Sequence, residues 1–164
     1  MKWGQTILFF CLIYCNTLTV SAQNITVDDS YTAQQLVENV LVNSSCATVS
    51  NFSATGDPST IGQNSYGYFT NAGGSFPFAE GVVLSTQNAK KAIGPYNGDK
   101  GYDNYDWPGD SDLNQILGVN SITATVLEFD FIPLTNFLSF DYIFASTEYA
   151  DTGSCRFTDG FAFL

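Results

Sequence analysis

The sequence contains no histidine, and only 5 lysine and arginine residues stand against 16 acidic ones. The first absence removes Ser-His-Asp and Cys-His catalysis, imidazole zinc sites and H-E-x-x-H proteases. The second leaves a formal charge of -11 and argues against a nucleic-acid binder, because phosphate contacts need clustered basic side chains. Charge of either sign is scarce, at 13% against about 25% in an ordinary soluble domain. No G-x-S-x-G, P-loop or G-x-G-x-x-G run occurs, so the common hydrolase and nucleotide signatures are missing. There is no internal repeat and no coiled-coil heptad.

What is present points to an extracellular β protein. The 164 residues suit one domain, and 45% hydrophobic content supplies a core. Aromatics reach 15%, with 14 Phe and 9 Tyr, residues that favour strands. The polar surface must come from Ser, Thr, Asn, Gln and Gly.

The first residues read as an export signal. Lys2 precedes the apolar stretch Ile7–Tyr14, which is too short for the roughly 20 residues of a membrane span. Val20-Ser21-Ala22 offers small residues for a signal peptidase, so cleavage is expected between Ala22 and Gln23. Residues 1–22 are then the signal and 23–164 the mature domain. Cleavage removes Lys2, taking the charge from -11 to -12, and leaves Cys46 and Cys155 as the only cysteines. In an exported chain the pair suggests one disulfide, with two separate buried thiols as the alternative.

Along the mature chain one helix is evident. Thr32 and Gln35 form a capping box, and Leu36, Val37, Val40 and Leu41 follow at helical spacing. Ala47–Ser50, Tyr66–Thr70 and Gly81–Ser85 read as short strands between Gly, Asn and Pro turns. Ile122, Ala124 and Val126 alternate with Thr, and the phase then slips to Leu127, Phe129 and Phe131. A β-bulge would produce that slip. Pro133–Asn136 reads as a turn into Leu138, Phe140, Tyr142 and Phe144, giving a hairpin with an aromatic face. The predicted fold is mainly β, an antiparallel β-sandwich with one short N-terminal helix. Gly160–Leu164 is an apolar strand with no turn or polar cap after it, so the chain is expected to be a fragment truncated at its C-terminus.

Several stretches resemble the choice-of-anchor L domain of secreted bacterial proteins. They are Tyr31–Val37 with Ala47–Asn51, then Gly109–Leu113 with Val126–Pro133, and finally Leu138–Tyr149 with Phe157–Phe163. The resemblance covers most of Tyr31–Leu164. Thr147 replaces the first Glu of the usual Ser-Glu-Glu-Tyr, which sets aside any role for that carboxylate. The resemblance implies an exported module upstream of a surface-sorting signal, in some lineages that of type IX secretion, with no established activity of its own.

Two constellations could carry chemistry. Gly94–Asp112 holds Asp99, Asp103, Asp106, Asp110 and Asp112 with Lys100 as the one basic residue. Such oxygens suit Ca²⁺, although the spacing is not that of an EF-hand; a solvated loop using Asp for turns fits equally. Tyr102, Tyr105 and Trp107 in the same stretch could stack on sugar rings or fold back over the sandwich. The second constellation is Glu148, Asp151 and Asp159, brought together if the hairpin end neighbours the last strand. Glu148 and Asp159 match the family pattern. They could bind a structural cation, or act as a glycosidase pair. The reading is a non-catalytic, secreted or cell-surface module for adhesion or display within a larger anchored protein, not integral to the membrane. Its partner is a surface, glycan or protein ligand. A lectin-like or glycosidase module is the alternative.

Overall fold

The computed structural model describes residues 25–43, 45, 47–57, 64–94, 107–146 and 159–164. They form two antiparallel sheets and a few short helical segments. Strands β1 (Thr26–Asp28), β3 (Tyr66–Thr70) and β4 (Glu80–Leu84) make one sheet, in the order β1-β3-β4. Strands β2 (Ala47–Thr55) and β5 (Val126–Pro133) make the other. The fold is mainly β and antiparallel, as the sequence predicts.

Helix α1 (Ala33–Leu36) begins at the expected capping box. The Thr32 hydroxyl accepts from the Gln35 N–H, and the Gln35 side chain accepts from the Thr32 N–H. The helix then widens into a π turn, Val37–Leu41, closed by Val42 N–H donating to the Val37 carbonyl at 2.8 Å. Leu36 and Val37 are completely buried, and the helical segment touches β2 of one sheet and β4 of the other. Leu41, expected on the same face, is instead exposed. The π turn packs more residues per turn than an α-helix and carries Leu41 round to solvent.

Three expectations need correction. The bulge lies on β2, not on β5. Ser50 pairs with Asp130 and Ser53 with Glu128, so Asn51 and Phe52 face Phe129 alone. The extra residue resets the alternation, keeping Val49, Phe52 and Ala54 half-buried while Ser50, Asn51 and Ser53 face out. Asn51 takes up the bulge at φ 55°, a left-handed conformation that Asn tolerates better than most residues. The phase slip before β5 has another origin. Ile122 bridges to Pro108, and Thr123 N–H donates to the Trp107 carbonyl at 2.8 Å with its own φ at 52°. Ile122 and Val126 therefore answer to different partners.

The second correction concerns the hairpin. Among the described residues β5 pairs with β2, and Leu138–Phe144 does not join its ladder. The aromatic alternation of that stretch is nevertheless used. Phe140 lies 3.9 Å from Phe163 and Tyr142 5.3 Å from Phe161, ring centre to ring centre. Phe140, Tyr142, Phe144, Phe161 and Phe163 form one cluster whose members stay exposed. Third, a further helix, α2 (Ser111–Leu117), stands where the sequence reading sees only an acidic loop.

Candidate functional site

Asp110 is the N-cap of α2. Its Oδ1 accepts from Leu113 N–H at 2.8 Å, its own N–H donates to Ser121 Oγ at 3.1 Å, and Gly118 closes the helix at φ 66°. Asp112 sits exposed in the first turn of α2, where a carboxylate favours the exposed N–H groups. Asp110 and Asp112 thus serve helix-end chemistry. Among the described residues no group of three or more Cys, Asp or Glu stands close enough to hold a metal ion.

Trp107 takes the inward arrangement. It is only 5% exposed, and its indole N–H donates to the Ala124 carbonyl at 2.7 Å. A ring held this way has no open face for a sugar, so of the two arrangements expected for it Trp107 takes the folded-back one. Asp159 is exposed and accepts from Ser146 Oγ at 3.2 Å. Asp99, Asp103, Asp106, Tyr102, Tyr105, Glu148, Asp151, Cys46 and Cys155 lie outside the described residues.

The structure assembles another constellation that sequence reasoning missed, on the sheet β1-β3-β4. Thr26 pairs with Thr70, Thr70 with Glu80, and Asp28 with Tyr68. Directly opposed residues of an antiparallel pair share a face, so these side chains stand together. Gly67 and Phe69 point the other way and are buried. The hydroxyls of Thr26 and Thr70 are 2.9 Å apart. The Tyr31 ring stacks on Tyr68 with centres 4.9 Å apart and planes 21° from parallel. The Tyr68 hydroxyl donates to Glu80, and Asp28 accepts from both the N–H and the hydroxyl of Ser30. The alternation Tyr66-Gly67-Tyr68 hinted at this face, but Tyr31 and Glu80 come from distant parts of the chain.

Two acidities on this face are displaced. The hydrogen bond to Glu80, helped by partial burial and by the Glu80 charge, pushes the Tyr68 phenol up to about 12. The hydrogen bonds from Ser30 hold the Asp28 carboxyl below its ordinary range. For Tyr68 the folded form keeps its proton where the unfolded chain, near 10, loses it. The stabilisation is therefore complete below pH 10 and is lost as pH rises toward 12. In an ultraviolet titration one tyrosine is expected to ionise last, and Glu80→Gln should bring it back toward 10. Late ionisation that survives this replacement would contradict the assignment.

Next to β1 an exposed lysine pairs with a buried aspartate. Lys90, on the short 3₁₀ turn Ala89–Ala92, places Nζ 2.6 Å from Asp29 Oδ1. Asp29 is buried, and Asn64 Nδ2 donates to its carbonyl at 2.7 Å. These bonds fix the chain between β1 and Tyr31.

Two antiparallel sheets, short helices and acids bonded to hydroxyls, amides and one lysine define a mainly β module. Residues 24–164 match the Choice-of-anchor L domain family, and the chain belongs to it. No curated protein and no solved structure matches it. Membership makes the chain a surface-associated or secreted module, in a family not known for enzymes. Among the described residues no helix is long and apolar enough to cross a membrane.

Proposed function

We propose that the chain is a non-catalytic attachment or display module, carried to the cell surface as part of a larger anchored protein. The observation that supports this is the use made of its carboxylates. Asp110 caps a helix, Asp29 pairs with Lys90, Glu80 holds Tyr68, Glu128 accepts from Ser53, and Asp130 accepts from Asn51. A glycosidase instead needs two carboxylates facing each other about 5–10 Å apart, one of them kept protonated. Each of these five acids has a separate structural partner.

The test pairs adhesion with turnover. Beads coated with the exported chain are expected to be retained on envelope or matrix surfaces, while nitrophenyl glycosides stay intact. Nitrophenol release above the uncatalysed rate, abolished by Asp159→Asn, would replace attachment by the glycosidase reading.

Export carries its own prediction. Residues 1–22 act as the signal, so N-terminal sequencing of exported protein is expected to begin at Gln23. In the same sample Cys46 and Cys155 are expected as a disulfide, giving no free thiol under non-reducing conditions. Retained Met1, or two free thiols, would contradict the corresponding assignment. Calcium in the acid-rich stretch Gly94–Asp112 would show as a melting temperature raised by millimolar Ca²⁺ and lowered by a chelator. With Asp110 already committed to its helix, the expected result is no response.

A further inference from the structure

We propose that the outer face of the sheet β1-β3-β4 is the attachment surface and that it binds a neutral glycan at the Tyr31–Tyr68 stack. The inference rests on the attachment reading and names its ligand class and its place.

The face combines two features that sugar recognition requires. A pyranose has an apolar side of C–H groups and a rim of hydroxyls. The stacked tyrosines offer the C–H groups an electron-rich surface. Around them stand polar groups for the hydroxyl rim: the Thr26 and Thr70 hydroxyls, which both donate and accept, and the Glu80 carboxylate, which accepts. Thr26, Asp28 and Glu80 are exposed, and Thr70, Tyr31 and Tyr68 are partly so.

The site is also held ready. Tyr31 stands between the Asp28–Ser30 turn and the capping box of α1, and Tyr68 is tied to Glu80. Side chains already fixed lose little further freedom when a ligand arrives. Tyrosine is suited to this, giving a large rigid contact from two rotatable bonds.

Charge selects among ligands. At -11 over the whole chain, sulfated, phosphorylated or uronate polymers are repelled. A cationic peptide would favour a cluster of uncommitted carboxylates, whereas Asp28 is engaged by Ser30 and Glu80 by Tyr68. A neutral polyol suits what remains.

The test uses the mature chain with neutral hexasaccharides of glucose, mannose, xylose and N-acetylglucosamine, plus oligogalacturonate and oligolysine. Binding is followed by NMR shift changes and by calorimetry. At least one neutral hexasaccharide is expected to bind saturably, with shifts centred on Thr26, Tyr31, Tyr68, Thr70 and Glu80. Tyr31→Ala should weaken it about tenfold or more, in line with the value of one stacked ring, while Tyr31→Phe retains it. Unbound-state spectra of each variant establish that it is folded, and the shift map needs no variant. Three results would overturn the proposal: shifts centred elsewhere, such as on Phe140 and Phe163; tighter binding of oligolysine or oligogalacturonate; or no neutral hexasaccharide bound. If beads still adhere in any of these cases, attachment stands and only this site falls. Beads that never adhere would remove the attachment reading itself.

Discussion

Replacing Leu36 by alanine is expected to destabilise the fold by about 2–5 kcal/mol, the range for emptying a fully buried leucine site. Leu36 has no solvent exposure and sits at the end of α1, on the helical segment that touches a strand of each sheet. A void there loses contacts on several sides, and the capped helix above it is too constrained to collapse inward. Thermal denaturation should show a drop of roughly 10 °C. Leu41→Ala, on the exposed side of the π turn, is expected to stay within about 0.5 kcal/mol of the parent. Equal losses at both positions would mean that the segment is a regular α-helix with both leucines in the core.

Gly109→Ala should be as damaging, for a different reason. A Cβ at Gly109 would lie 1.9 Å from the Ser121 carbonyl oxygen and 2.4 Å from its carbon. Both are backbone atoms, so no side chain can swing aside. The clash falls where Trp107 and Pro108 receive the N–H groups of Thr123 and Ala124. Accommodating the methyl means separating these segments, at a cost on the order of 3 kcal/mol or more. Gly118→Ala is the control, since a Cβ there meets nothing within 4 Å and bears only the strain of φ 66°; about 1 kcal/mol is expected. Trp107 is the sole tryptophan beyond Gln23 and is buried beside Gly109, so its fluorescence reports the change. Gly118→Ala costing more than Gly109→Ala would refute the packing described.

Local signals were the ones most legible in the sequence. The capping box at Thr32 and Gln35 and the strands β3 and β4 depend on neighbouring residues, and the chain order displays them directly. Helix α2 was legible too, in the Asp110 cap and the Gly118 terminator, but five acids nearby favoured an acidic-loop reading. The partner of β5 was not legible. Leu138–Phe144 follows after a turn and alternates well, whereas β2 lies about eighty residues earlier. That distant pairing is fixed by the bulge at Asn51, which brings the half-buried positions of β2 into register with Phe129 and Phe131. The tyrosine face was hidden for the same reason. Tyr31, Tyr68 and Glu80 become neighbours only when β1 and β4 flank β3.

Attachment without turnover can be tested in one vessel. The mature chain is incubated with purified envelope polysaccharide, and retained protein and newly released reducing ends are measured together over a concentration series. Saturable retention with reducing ends at the level of the protein-free blank is the predicted result. Release that grows with protein concentration would contradict the non-catalytic reading, and retention no greater than that of an unrelated acidic protein would contradict attachment through a glycan.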